Sequence, residues 1–338
     1  MRLLAGDIGG TKTLLGLFQW DHATQSYSVD VIERLVSQEF DGLLPMVLRL
    51  LADVQGPVDA AVFGVAGPVR QGRFCETTNL PWKIDAGRIQ AATGIAHVAL
   101  INDFHAVALG VDALQPCDIA CVQRGVRDPM GPVAVIGAGT GLGKAVRIRD
   151  ADGAFRVMES EGGLADFAPR NDLEMELHRF LRTRYDHVSW ERVLSGHGLY
   201  DLYHFVIHHH LAPESPELRE LFASAPRSCR PAIVGTQGTE GLDAACTKAV
   251  ELFVTLYGSE AGNWALHTLP TGGMFLAGGI AAKLVRSLQQ PGFIQAFCDK
   301  DRRRDLLEQV SVSIVLEPNV GLYGARHAAL HAVLHHQG

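Results

Sequence analysis

Apolar residues along the chain fall into two patterns. Short unbroken apolar runs bounded by Gly, Pro or Asn-Asp alternate with longer stretches in which apolar residues recur every three or four positions. The first pattern predicts buried strands and the second predicts amphipathic helices. Residues 2–20 hold an apolar run that turns at Gly9-Gly10-Thr11-Lys12 and resumes from Leu14, which predicts strand, turn, strand. Residues 41–54 have helical spacing, and residues 60–68 read as a buried strand ended by Gly67-Pro68. A strand over 98–101 stops at Asn102-Asp103, where a helical stretch 104–109 takes over. A second strand-turn-strand unit follows, with 133–136 and 144–148 flanking Gly137-Ala138-Gly139-Thr140-Gly141-Leu142-Gly143. Residues 173–211 and 240–269 are predicted mainly helical, 275–277 a strand, Gly278-Gly279 a helix start, and the stretch after Gly321 a helix. The Pro- and Gly-rich residues 212–241 are expected to form a mobile or loop-rich segment.

Alternation of strands and helices predicts an α/β chain, and its 338 residues suggest two domains. Each glycine turn heads its own α/β stretch, so two related lobes facing one cleft are expected. Hydrophobic residues make up 47% of the chain and charged residues 20%, enough apolar surface for a folded core. The formal net charge of −7 gives no basic field for nucleic acid or an anionic membrane, and favours a small-molecule partner. Six cysteines, at 75, 117, 121, 229, 246 and 298, include no C-x-x-C pair and are expected to be free thiols of a cytoplasmic protein. With Asp7 so near the first residue no secretory signal is expected, and there is no apolar run of about 18 residues to span a bilayer.

The glycine turns are the first candidates for chemistry. Glycines 9 and 10 lack Cβ atoms, so backbone N–H groups there can approach an oxygen-rich ligand, and Thr11 adds a hydroxyl. Asp7 would point into such a phosphate site, which makes sense with a Mg²⁺ ion held through water. A plain Gly-Gly hairpin with an exposed Asp satisfies the same pattern. The turn at 137–143 fails the dinucleotide spacing, because Leu142 or Lys144 falls where the third glycine belongs. It fails the Walker spacing at Ala138 and Ala145. What remains is a second phosphate clamp or, again, a hairpin. Asp103, after a buried strand, is either a base that takes a hydroxyl proton or a helix N-cap. Glu161 and Glu191, each beside a turn or a helix start, suit vicinal sugar hydroxyls or are solvated surface acids. His208, His209 and His210 point in different directions on a helix and are taken as surface residues.

Taken in order, these segments resemble the bacterial glucokinase family of the actin-like ATPase and hexokinase-type sugar kinase superfamily. Asp7-Ile8-Gly9-Gly10-Thr11-Lys12 is similar to its first phosphate motif, Thr78-Asn79-Leu80-Pro81-Trp82 to its sugar-side loop, and Ile101-Asn102-Asp103-Phe104 to its catalytic-base segment. Gly137–Gly143 is similar to the second phosphate motif, and Leu276-Ala277-Gly278-Gly279-Ile280 to the adenosine motif. The resemblance implies a two-lobed actin-like ATPase (ribonuclease H-like) α/β fold with a central cleft. It places a small domain at 1–109, completed by 322–338, and a large domain at 110–321. It also implies ATP-dependent phosphorylation of glucose at C6 to glucose 6-phosphate, the first step of glycolysis, in a cytoplasmic homodimer with ATP and Mg²⁺.

In that comparison Asp103 is the base, and Asn79, Asn102, Asp103, Glu161 and Glu191 bind sugar. Gly9, Gly10, Thr11, Lys12, Gly139, Thr140 and Gly141 grip phosphates, Gly278 and Gly279 lie against adenosine, and Asp7 serves the metal through water. Closure around the sugar is expected to exclude water. One departure stands out: the family commonly reads Glu-Gly-Gly-His where this chain has Glu161-Gly162-Gly163-Leu164. Leu164 leaves room for a different hexose, such as mannose or an amino sugar. A non-catalytic sugar sensor on the same fold would carry similar motifs, and phosphate clamps of this kind would also serve ADP or polyphosphate as donor.

Overall fold

A computed structural model describes residues 1–78, 80–150, 153 and 155–334. In chain order the first elements are strands β1 (Arg2–Ile8), β2 (Lys12–Asp21) and β3 (Ser26–Val36), helix α1 (Leu43–Leu51) and β4 (Ala60–Val65). Next come β5 (Val69–Arg70), β6 (Phe74–Glu76), β7 (Lys83–Asp85), α2 (Ala86–Thr93), β8 (His97–Asn102) and α3 (Asp103–Gly110). The middle of the chain supplies β9 (Ile119–Gln123), β10 (Val133–Ala138), β11 (Leu142–Arg149) and β12 (Phe155–Ser160). A helical run follows: α4 (Asp172–Arg182), α5 (Trp190–Val193), α6 (Gly196–His208), α7 (Pro216–Ser224), α8 (Arg230–Thr239) and α9 (Ala244–Thr268). The chain closes with β13 (Gly273–Ala277), α10 (Gly278–Lys283), α11 (Val285–Leu288), α12 (Pro291–Cys298), α13 (Arg304–Glu308), β14 (Val312–Val315) and α14 (Val320–Leu334).

The described residues divide into two compact units, one drawn from Met1–Pro116, Phe155–Glu159 and Glu317–Gly338, the other from Cys117–Ala154 and Ser160–Leu316. In the first unit the sheet order is β3-β2-β1-β4-β8. β1, β4 and β8 run parallel, while β2 pairs antiparallel with β1 and β3 antiparallel with β2. Alternation along β1 is strict: Leu4 and Ile8 join a core with Met46, Val47 and Ile89, while Leu3 and Ala5 face the opposite side. There they meet Leu322, Ala325 and Leu330 of α14. Period-two burial of this kind puts helices on both faces of a sheet. Helices α3 and α14 touch backbone to backbone, since a Cβ on Gly324 would stand 1.7 Å from the carbonyl oxygen of Ala106.

In the second unit β11-β10-β13-β14-β9 is the strand order, with β10, β13 and β14 parallel. Its core is continuous from Ala134 to Ile314 and is threaded by α9, whose Tyr257 hydroxyl donates to the carbonyl of Ile136 at 3.2 Å.

The α/β class and the predicted strands and helices are present, with one correction. Residues 212–241 are not loop-rich: they form α7 and α8. Ser215 caps α7 with Pro216 in its first turn, and Pro231 sits in the first turn of α8, so these prolines begin helices. Gly238 packs against α9, where a Cβ would lie 2.4 Å from the carbonyl oxygen of Cys246. The described helices include none long and apolar enough to cross a membrane.

Candidate functional site

In the first unit, parallel register assembles the candidate groups at one sheet edge. Asp7 of β1 stands opposite Gly64 of β4, which stands opposite Ile101 of β8, and the next row is Ile8, Val65 and Asn102. Loops that leave the carboxyl ends of parallel strands commonly carry ligand-binding groups. The chain reverses from β1 into β2 through Gly9, whose N–H donates to the carbonyl of Lys12 at 3.0 Å. Buried Ser37 braces this turn. Its N–H donates to the carbonyl of Thr11 at 3.1 Å and its hydroxyl to that of Gly9 at 2.8 Å. Because the Ser37 proton is committed to Gly9, the Thr13 hydroxyl 3.0 Å away acts as donor to Ser37.

At the β8–α3 junction the cap is Asn102, one residue before the acid that competes for the role. The Asn102 side chain accepts from the N–H groups of Phe104 (2.9 Å) and His105 (3.3 Å), and its amide donates to the carbonyl of Gly67 at 3.4 Å. Asp103 is therefore the first helical residue, with Oδ1 accepting from the Phe104 N–H at 2.9 Å. Gly64 keeps this corner narrow, since a Cβ there would meet that of Ala106 at 3.0 Å and lie 3.8 Å from the Cα of Asp103.

Burial pushes the Asp7 carboxyl up from 3.8 to about 6, and the charge of Lys12 opposes the rise. The first turn of α14 presses on it, with Oδ2 only 3.1 Å from where a Cβ of Gly321 would be. A buried carboxylate whose charge is costly to desolvate suits a divalent cation. The described residues hold no group of three or more His, Cys, Asp or Glu side chains arranged for a metal. A magnesium ion fits here only in its usual manner, through water on one carboxylate and shared with phosphates.

The second unit repeats the plan. Gly137 of β10 stands opposite Ala277 of β13, so the turn 139–141 and the start of α10 leave the same sheet edge. Gly278 has φ +85°, and a Cβ there would lie 2.5 Å from the carbonyl oxygen of Ala138, so glycine is required by the fold. Gly139 and Gly279 differ, because a Cβ on either would enter open space. Thr140 is exposed beside them. The turn is held from behind by the α5–α6 segment: the Gly196 N–H donates to the carbonyl of Gly139 at 2.9 Å, and the Leu142 N–H donates to Oε2 of Glu191 at 3.0 Å. A Cβ on Gly141 would stand 2.4 Å from Glu191 Oε2, so a larger residue there would push that carboxylate aside.

Glu161 is exposed at the head of a short helical turn, Gly162–Leu164, and its carbonyl accepts from the Leu164 N–H at 2.9 Å. Leu164 is 52% exposed.

The structure thus gathers Asp7, Gly9, Gly10, Thr11, Lys12, Asn102 and Asp103 in one unit, and Gly139, Thr140, Gly141, Glu161, Glu191, Gly278 and Gly279 in the other. Asn79 lies outside the described residues. The brace Ser37 escapes motif reading, because a single Ser far from the turn in sequence carries no spacing signal. His208 and His209 pack their rings against Phe180 and Phe205.

Since the folded state holds the Asp7 proton more tightly than the unfolded chain, this stabilisation is complete below about pH 3.8 and is lost as pH rises through about 6. In buffer free of divalent cations and nucleotide, Asp7→Asn should melt higher than the native protein at about pH 7, and the two should converge by about pH 4. Melting curves whose separation is the same at both pH values would contradict the assignment.

The glucokinase family profile matches residues 4–332. A glucokinase of Nostoc punctiforme is 40% identical over 334 residues, covering 96% of this chain and 97% of that protein. A glucokinase of Synechocystis sp. is 38% identical over 344 residues, with the same coverage of 96% and 97%. Among solved structures, glucokinase from an Antarctic psychrotroph matches with TM-score 0.83 at 28% identity, covering 98% of this chain and 99% of that one. A ROK family glucokinase from Streptomyces griseus, solved with glucose and AMPPNP, shares the fold at TM-score 0.66 and 18% identity, with 98% and 100% covered. The matched span takes in both glycine turns, the Asn102-Asp103 corner and most of the final helix, and the chain belongs to the glucokinase family.

Proposed function

We infer that the protein transfers the γ-phosphoryl group of ATP to the C6 hydroxyl of D-glucose, giving glucose 6-phosphate and ADP. The observation that carries this is the division of roles at the β8–α3 corner. Asn102 supplies the helix cap, and the Asp103 carboxylate stands beside it at the end of a buried strand. The curated glucokinase relatives support the same chemistry.

Phosphoryl transfer passes through a loose transition state, so the protein mainly positions the reactants and stabilises charge. In this reading Asp103 orients the C6 hydroxyl and takes its proton as the oxygen attacks phosphorus. Asn102, Glu161, Glu191 and Asn79 hold the remaining hydroxyls. Glu191 has one carboxylate oxygen engaged by Leu142, so its Oε1 is the atom offered to sugar. The backbones of Gly9-Gly10-Thr11-Lys12 and Gly139-Thr140-Gly141 grip phosphates, and Gly278-Gly279 lies against adenosine. Open space at Gly139 and Gly279 supports this, since no protein atom there demands glycine. When bound, magnesium neutralises charge on the phosphates, and Asp7 would hold it through water. A two-lobed actin-like ATPase fold, a homodimer and a cytoplasmic location belong to the same proposal and rest on the family resemblance.

Replacing Asp103 by Ala should lower kcat by about 10²–10⁴-fold while the hexose KM changes far less. Near-native turnover in that variant would remove Asp103 as the base. Leu164 presents methyl groups where the family commonly has an imidazole, so Leu164→His should lower the glucose KM about threefold to tenfold, the worth of one ordinary hydrogen bond. The comparison is a coupled assay of both proteins on glucose, mannose and glucosamine. An unchanged glucose KM, with mannose or glucosamine preferred by the native protein, would transfer the assignment to another hexose.

A further inference from the structure

Lys144 lies on β11, just beyond the second glycine turn, and is 4% exposed. Its ammonium forms an ion pair with Glu260 of α9, which is equally buried. The same ammonium donates to the carbonyl of Gly162 at 3.0 Å and sits 5.4 Å from the centre of the Trp264 ring. Each partner is itself fixed. Glu260 Oε2 accepts from the Asn263 side chain at 2.8 Å, and the Trp264 indole donates to the carbonyl of Val135 at 3.2 Å.

A buried charge pair is poor evidence for a stability role, because a well-packed apolar pair of similar volume often stabilises as much or more. Where the charge points is more informative. Gly162 belongs to the turn headed by Glu161, and its carbonyl accepts from both Lys144 and the Ala165 N–H at 3.3 Å. The turn rests directly on β11, since a Cβ on Gly163 would lie 2.0 Å from the carbonyl oxygen of Leu142. From the other side, the Ser160 hydroxyl accepts from the Gly162 N–H at 3.0 Å. Lys144 thus ties this turn both to α9 and to the strand leaving the Gly139–Gly141 turn. Hydrogen bonds to sugar hydroxyls require their acceptors to be held within about 0.5 Å.

We propose that Lys144, charged and held by Glu260, is a positioning residue that fixes the Glu161–Leu164 turn and so governs hexose affinity without touching the hexose. This rests on the reading of Glu161 as a sugar-binding acid. The ammonium anchors the Gly162 carbonyl, the anchored turn aims Glu161, and Glu260 keeps the ammonium in place.

The test is steady-state kinetics on Lys144→Met, on the double variant Lys144→Met/Glu260→Gln and on Glu161→Gln, with melting temperatures measured alongside. Lys144→Met alone strands the Glu260 charge and should melt lower. The double variant removes both charges and should regain much of that loss. Its hexose KM should nevertheless stay raised by about tenfold, because Glu161 is no longer held in its aim, with the ATP KM and kcat within about threefold of native. A double variant with native hexose KM, while Glu161→Gln raises it, would overturn the positioning role and leave the sugar-binding acid standing. Glu161→Gln with native hexose KM would overturn both. If the double variant fails to fold, Lys144→Met is judged in the same way, and equal rises in the hexose and ATP KM values would overturn the proposal as general loosening.

Discussion

Parallel strand register is the constraint on which the candidate site depends. Strands that pair in parallel end on the same side, so a residue at the end of one is brought level with residues at the end of the next. In the first unit this sets Asp7, Gly64 and Ile101 in one row and places Asn102-Asp103 immediately beyond. In the second it sets the Gly139–Gly141 turn beside Gly278-Gly279 through the pairing of Gly137 with Ala277. A slip of one residue in either sheet would turn every apolar side chain of the slipped strand to the wrong face, so the buried cores enforce the register that the chemistry uses.

The turns on these edges are supported on one side and open on the other. Ser37 fastens the first through two hydrogen bonds, and Gly196 with Glu191 fastens the second. Rigid support behind an open backbone is what a phosphate cradle requires, because the N–H groups must be aimed before the ligand arrives. The glycines divide accordingly. Gly141 and Gly278 are crowded by Glu191 and Ala138, whereas Gly139 and Gly279 meet nothing. Only the second kind leaves room for a ligand where a side chain would stand.

Much of this was legible in the sequence, for identifiable reasons. The apolar runs of β1, β4, β10 and β13 are buried along almost their whole length, so their composition declares them. Edge strand β3 keeps Val29, Ile32 and Val36 exposed and lacks a clean alternation, so periodicity does not predict it. Proline content misleads at 212–241, where Pro216 and Pro231 occupy the first helical turn, a position that tolerates the missing N–H. At the site, local sequence leaves Asp103 between base and cap, and only the folded structure gives the cap to Asn102. Long-range braces such as Ser37, or Lys144 with Glu260, depend on partners far away in the chain.

The most direct test of the account is a paired measurement of melting temperature and ATP KM for Gly139→Ala and Gly279→Ala. With open space at each Cβ, both variants should fold at least as stably as the native protein, the helical Gly279→Ala gaining up to about 0.5–1 kcal/mol. The ATP KM of each should nevertheless rise about tenfold, a loss of about 1.4 kcal/mol, while the glucose KM stays near native. Native ATP KM in both variants would contradict the claim that these open turns hold the nucleotide.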